Sequence, residues 1–340
     1  MTTGAGWNLA VAVVGTIIVW LSSSRLETAS RRIATHHRIP EAVKGAVITA
    51  IASSFPELSS VVIATIVHGE FELGVAAIVG SAIFNILVIP SFAVIFAGSL
   101  RANRAVVYKD GLFYMVAVVS LLLTFSLAVV YFSVPGDAIR GTITRGLALI
   151  PLGLYGVYLF IQYHDTRDER SDSTHVPGIR IAYEWIALLA CMVAVALGVE
   201  LLVRSAVNLG NILDTPPFLW GLTIVAAGTS LPDLLISIKA ARRGQSITSL
   251  SNVLGSNTFD LLVAIPFGVL LAGATVINFS RAAPMMGFLS FATIVLFVCM
   301  RRDMILHRSE ALLMLTLYAG FVSWMSLESF GLVSVLSLTP

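Results

Sequence analysis

Ten apolar runs, each about the length of one membrane crossing, dominate what this chain can fold into. They lie near 7–24, 43–67, 72–98, 106–133, 142–163, 181–207, 217–240, 247–272, 283–300 and 306–328. A helix of about 20 apolar residues crosses the hydrocarbon of a bilayer. Only 12% of the 340 residues are charged and 57% are hydrophobic, whereas a soluble domain carries about 25% charged residues. The fold class expected is an all-α integral membrane protein with ten transmembrane helices, multi-pass in the cell membrane and in contact with the lipid bilayer. Met1 to Gly6 contains no Lys or Arg. It lacks the basic segment of a cleaved signal peptide, so the first run is expected to stay as a helix. A net charge of +2, with no basic run interleaved with aromatics, excludes nucleic acid as a partner. Cys191 and Cys299 sit alone in separate apolar runs, which suits small buried residues and neither a disulfide framework nor a soft-metal site.

Lys and Arg counts orient the spans. Seventeen of the 21 cations fall on one side. They are Arg25, Arg31, Arg32, Arg38 and Lys44 after the first span, then Arg101, Arg104 and Lys109, then Arg167, Arg170 and Arg180. Lys239, Arg242 and Arg243, and Arg301, Arg302 and Arg308 complete them. Arg140, Arg145, Arg204 and Arg281 fall on the other side. This separation predicts both termini outside. The longest polar connection, with Asp165, Arg167, Asp168, Glu169, Arg170 and Asp172, is expected to be a cytoplasmic linker over 165–180. It separates a first five-helix repeat (1–164) from a second (181–340).

Five helices per half invert the second half relative to the first. The residues agree. At an offset of 176, Pro40 matches Pro216, Gly45 Gly221, Ile48 Ile224, Ala50 Ala226, Ser54 Ser230, Pro56 Pro232 and Leu58 Leu234. At 175, Gly80-Ser81 with Phe84-Asn85 matches Gly255-Ser256 with Phe259-Asp260, and Pro90 matches Pro266 at 176. The motifs occupy 43–90 and 217–266. Two inverted repeats are therefore expected.

Glu57 and Asp233 lie near the middle of their spans, where a carboxylate costs several kcal/mol (about 2.5–3.5 for Asp) and needs a partner. No Lys or Arg lies away from the ends of the second, third, seventh or eighth spans, which leaves a bound cation as the natural partner. Pro56 and Pro232 each remove an i→i−4 hydrogen bond, freeing carbonyls near Ala52 and Gly228. Such oxygens must be satisfied inside a membrane. Ser53-Ser54 and Thr229-Ser230 add hydroxyls in the same turn. Carbonyls, hydroxyls and a carboxylate suit hard cations such as calcium or sodium, although a lone serine more often bonds back to its own helix. Broken helices meeting at the midplane are a common transporter device. Asn85 and Asp260 are equivalent positions. Asn85 alone could be interhelical glue, but an acid as its mate favours a site position. Asp260, a third acid nearby, is expected to stay protonated or to distinguish one ion load from another. Gly80 and Gly255 permit close helix packing. Glu200 and Arg204 are spaced for an i,i+4 salt bridge, Glu70, Glu72, Glu184 and Glu328 sit near span ends and are expected to reach the interface, and the six histidines do not cluster like a zinc site.

The blocks Ala226-Ala-Gly-Thr-Ser-Leu-Pro-Asp233 with Gly255-Ser-Asn-Thr-Phe-Asp260, and Ala50-Ile-Ala-Ser-Ser-Phe-Pro-Glu57 with Gly80-Ser-Ala-Ile-Phe-Asn85, resemble the two alpha-repeats of the calcium/cation antiporter superfamily. The sodium/calcium exchangers, in their prokaryotic members, are the nearest likeness. The resemblance implies clustered sites for transported calcium and sodium and no resident cofactor. Glu57 and Asp233 would bind calcium, with backbone oxygens of Ser53 and Thr229. Sodium sites would use the Ala50 and Ala226 carbonyls with Ser54, Ser81, Ser230 and Ser256, and Asn85 and Asp260 would line the centre. The first and sixth spans would move across this core to alternate access. Three departures stand out: Ala52 replaces a usual glycine, which predicts a less open first break, Asp233 replaces a common glutamate, and Asp260 also occurs in the potassium-dependent branch. The Gly-Asn-x-x-Glu pattern of the proton-coupled branch is absent.

The function expected is calcium/sodium exchange by a secondary antiporter, monomeric by default. A proton-coupled or potassium-dependent antiporter is the nearest rival. An intramembrane enzyme would need an acid or base partner for its nucleophile and would leave the repeat unexplained. A channel would need a continuous polar pore, whereas the polar positions gather at one depth.

Overall fold

The computed structural model describes residues 2–37, 48, 50–166 and 181–333. Arg38, Pro40, Lys44, Gly45 and most of the expected linker (167–180) lie outside them. Helix α1 (Thr2–His36) is followed by α2 (Ala50–Ser53), α3 (Phe55–Ile66) and α4 (Phe71–Ala97). Strand β1 (Leu100–Arg101) and a π-helical turn (Ala105–Asp110) lead into α5 (Gly111–Tyr131). Strands β2 (Ser133–Val134) and β3 (Asp137–Thr144) precede α6 (Arg145–Thr166). The second half runs α7 (Ile181–Leu213), α8 (Pro217–Trp220), a π turn (Gly221–Val225) and α9 (Ala226–Arg242). It continues with α10 (Ser246–Phe259), a π turn (Asp260–Ala264), α11 (Ile265–Ala272) and β4 (Ala274–Asn278). Helix α12 (Phe279–Arg301), β5 (Ile305–Leu306) and α13 (Arg308–Ser329) complete it.

Nine helical segments among the described residues are long and apolar enough to cross a membrane, and α3 is a shorter apolar helix. The second expected span is therefore represented by α2 and α3, interrupted at Ser54. The exterior carries apolar stripes suited to lipid. Ile186, Leu189, Val193 and Leu197 of α7 recur on one face and are all exposed. In a soluble protein such a stripe would be a large unburied patch. By contrast α4 is 89% buried over its apolar window and Ser246–Ala272 is 78% buried, against 17% for α6 and 22% for α13. Two of the four motif-bearing spans are thus the most enclosed, and α6 and α13 the least.

Helices α1 and α7 pack along each other. A Cβ on Gly15 would come within 2.7 Å of the Gly198 carbonyl oxygen, and one on Gly198 within 2.9 Å of that of Gly15. Glycines at such a crossing let two backbones touch. Ala12, Val19 and Leu26 of α1 continue the seam against Val195, Val199, Leu202 and Ala206 of α7. At one end, Glu184 of α7 receives Arg25 at 2.8 Å and Arg32 at 2.7 Å.

The chain is not purely helical. Thr142, Ile143 and Thr144 of β3 pair with Val276, Thr275 and Ala274 of β4, and β2 pairs with β3. Strand β1 pairs with β5. β-branched residues at these connections favour extended backbone, so the fifth span begins at Arg145 rather than 142. The two sheets lie at opposite ends of α5. The strand following α4 pairs with the connection between α12 and α13, and the strand following α11 pairs with the connection between α5 and α6. Gly69 and Gly244, 175 residues apart, have φ of +71° and +77°, and Gly98 and Gly273, also 175 apart, have +91° and +90°. The last pair ends α4 and α11, where only glycine adopts such a backbone without strain.

Candidate ion-binding site

Both motif segments are helical, but only the first is interrupted beside its proline. In the first, Ser54 (φ −89°, ψ 10°) separates α2 from α3, and Pro56 stands in the first turn of α3. A proline there loses no hydrogen bond that a helix could make. In the second, α9 runs unbroken through Pro232, a π turn at Gly221–Val225 precedes it, and Ile48, the equivalent of Ile224, is π-helical as well. The first break, expected to be less open because of Ala52, falls at Ser54, and α9 is the continuous segment. Gly228 instead provides room, since a Cβ there would lie 2.9 Å from both Leu202 and Thr16. Its glycine accommodates the α1–α7 pair.

The candidate side chains converge in the interior. Ser54, Glu57 and Asp260 are 1% exposed, Thr229 2%, Asp233 and Ser256 3%, Ser53 9%, and Ser81, Asn85 and Ser230 are fully enclosed. Ala226 is buried and Ala50 half-buried. Ser81 of α4 and Ser230 of α9 share a hydrogen bond of 2.6 Å. Glu57 lies within electrostatic range of Asp260 and Asp233, and Asp260 within range of Asp233. The Thr229 hydroxyl approaches Glu57 and the Ser54 hydroxyl approaches Asp260, yet neither carboxylate accepts a formed hydrogen bond.

That last fact decides the chemistry. Among the described residues, ten buried side-chain N or O atoms have no hydrogen-bond partner, and six of them lie here: both carboxylate oxygens of Glu57, both of Asp260, Ser54 Oγ and Asn85 Oδ1. Buried polar groups in folded proteins are nearly always satisfied, and buried negative charges are costlier still. All six atoms are oxygens, the donor set of a hard cation. No three His, Cys, Asp or Glu side chains among the described residues converge closely enough to form a metal site by themselves, so hydroxyl and carbonyl oxygens must complete any coordination.

The hydroxyls are arranged for that. Ser53 Oγ donates to Ala50 O at 3.1 Å, and Thr229 Oγ1 donates to Ala226 O at 3.2 Å and Val225 O at 3.1 Å. Ser256 Oγ donates to Asn252 O at 2.9 Å. A hydroxyl that gives its proton to a carbonyl keeps its lone pairs for a cation. The Ala50 carbonyl also accepts from Ser54 N at 3.0 Å.

Sequence reasoning missed Asn257. It is fully buried and accepts from Asn85 Nδ2 at 2.9 Å while donating to Ala82 O at 3.2 Å. Its counterpart 175 residues earlier is Ala82, so the repeat comparison hid it, but a third polar residue beside Ser256 was a usable signal. Two further expectations are corrected. Glu200 meets His68 Nε2 at 3.0 Å rather than Arg204, which ties α7 to the end of α3. Glu72 pairs with Arg281 at 2.9 Å, and Glu184 and Glu328 are buried, so these acids do not reach the interface freely. Gly80 abuts the Leu222 carbonyl and needs its missing Cβ, whereas Gly255 faces only Tyr158 Oη at 3.9 Å, leaving ordinary space.

The profile of the sodium/calcium exchanger protein family matches residues 7–164 and 183–327. The chain belongs to that family. Inner membrane protein YrbG of Escherichia coli is 24% identical over 94% of this chain and 95% of its own length. Sodium/potassium/calcium exchanger 2 of Gallus gallus is 32% identical over 52% of this chain and 26% of its own. The sodium-calcium exchanger NCX_Mj shares the fold, with a TM-score of 0.63 at 24% identity over 94% of this chain and 99% of that one. This exchanger-family chain is accordingly a multi-pass membrane protein of a transporter family.

Proposed function

We propose that the chain is a secondary antiporter that exchanges calcium for sodium by alternating access. The observation that carries this reading is the group of six unpartnered oxygens around Glu57 and Asp260. Glu57 and Asp233 bind calcium with the backbone oxygens of Ser53 and Thr229. The Ala50 and Ala226 carbonyls, with Ser54, Ser81, Ser230 and Ser256, serve sodium, while Asn85 and Asp260 line the centre between them. Two inverted five-helix repeats build the site. The swapped strand pairing at the two ends of α5 and the glycine conformations repeated at an offset of 175 support that symmetry. The α1–α7 pair, joined by Gly15, Gly198 and the Glu184 clamp, is built to move as one body. The cation-rich side is cytoplasmic and the termini are extracellular.

Sodium-driven uptake tests this. Proteoliposomes loaded with sodium take up calcium when diluted into sodium-free buffer, and a pH gradient of either sign without sodium drives none. Uptake that follows the pH gradient and ignores sodium would overturn sodium coupling. A potassium-dependent exchange is the second reading, favoured by the likeness to the sodium/potassium/calcium exchanger and by Asp260. External potassium added to the same assay leaves the rate unchanged under the first reading and raises it under the second.

A further inference from the structure

The face of α9 that carries Asp233 leads into a cavity. Ile236, Ala240 and Arg243 follow Asp233 at helical spacing and line this cavity of about 520 Å³ between α9 and α1. Residues at these steps share one helix face, so the cavity begins about one turn beyond Asp233. Across it stand Ser24, Glu27, Thr28 and Arg31 of α1. α1 has 35 residues, about 52 Å at 1.5 Å per residue, which carries this stretch to the cation-rich end. Among the described residues lining the cavity, Glu27 is the one carboxylate, against Arg31, Arg32, Lys239 and Arg243. Arg32 is already held by Glu184. Glu27 acts electrostatically on Asp233, and its own partner is Arg31 at 2.5 Å. The Glu27 side chain is 13% exposed and that of Arg31 56%.

A cation that used this cavity to reach Asp233 would cross a positive lining with one negative group in it. We infer that Glu27 is an access station for the transported cation on this face, and that Arg31 is the internal cation it releases when the ion arrives. Arg31, half exposed, can turn to water when Glu27 takes another partner. Pairing also keeps Glu27 from trapping an ion beside Asp233. The inference rests on the antiporter reading for the identity of the ion.

Two measurements test it. In oriented proteoliposomes, Glu27→Gln raises the half-saturating calcium concentration on the cation-rich face roughly tenfold, and much less on the opposite face. Glu27→Asp restores it, and Arg31→Gln lowers it. Equal shifts on both faces, or none, would overturn the inference. The second readout needs no transport. In a background with Cys191 and Cys299 replaced by alanine, the thiol introduced by Thr28→Cys reacts with a charged reagent from the cation-rich face. Calcium slows that reaction when Glu27 is present and not after Glu27→Gln. Absence of protection overturns the station. Protection without sodium-driven uptake keeps the station and discards sodium coupling.

Discussion

The acids of this chain fall into two groups, and the contrast explains the molecule. At the periphery the chain supplies partners: Glu72 has Arg281, Glu184 has Arg25 and Arg32, and Glu200 has His68. In the interior, Glu57 and Asp260 are at least as deeply buried, yet all four of their carboxylate oxygens are unpartnered. A structural acid is neutralised permanently. An acid whose partner must arrive and leave cannot be. Burial alone does not separate the groups, since Glu184 is only 3% exposed; what separates them is whether a guanidinium or imidazole lies within reach.

Breaking this contrast should have graded consequences. Glu57→Gln has the largest effect, at least a hundredfold loss of exchange in the flux assay, about 3 kcal/mol or more. Thermal stability in calcium-free buffer should be equal or higher, because an uncompensated buried charge is removed. Asn257→Ala should come next. It leaves the Asn85 amide without its acceptor, at a cost of about 1–3 kcal/mol. Combining it with Asn85→Ala should cost less than the sum of the single changes, as a denaturation cycle would reveal. Glu184→Gln should lower stability by roughly 1 kcal/mol, since both arginines are partly exposed, with Glu57-dependent exchange retained. The smallest change is at Glu70, between α3 and α4, where burial and the neighbouring Glu72 push the carboxyl above its ordinary range. A raised acid penalises the folded state only above the unfolded-state value. Glu70→Gln should therefore stabilise slightly at neutral pH, and the gain should vanish as pH falls below the ordinary carboxylate range in a melting series.

A second comparison shows what the sequence can carry. The two motif segments share serine or threonine pairs, a proline and an acid, and that likeness located the buried oxygens. It did not reveal that the first segment is interrupted at Ser54 while α9 stays continuous. Proline at the start of a helix and proline within one have opposite costs, and which applies depends on where the helix begins, here a matter of one or two residues. The short strands were missed because Thr142 to Thr144 adjoin an apolar run directly and Thr275 to Ile277 lie in a connection with no local hairpin signal. Their pairing joins residues more than a hundred apart. The partner of Glu200 was misread because an i,i+4 arginine on the same helix is visible in sequence, whereas His68 is 132 residues away. Nothing in the sequence sets Glu27 apart. Only the cavity beside α9 distinguishes it.

The central claim is that the unpartnered oxygens of Glu57 and Asp260 are where the transported cation sits. Equilibrium binding of radioactive calcium to the purified protein in nanodiscs tests this most directly, with the wild type compared with Glu57→Gln and Asp260→Asn. Saturable calcium binding that sodium displaces, abolished by Glu57→Gln and weakened or altered in its sodium competition by Asp260→Asn, is the predicted result. Calcium binding unchanged in both variants would contradict it.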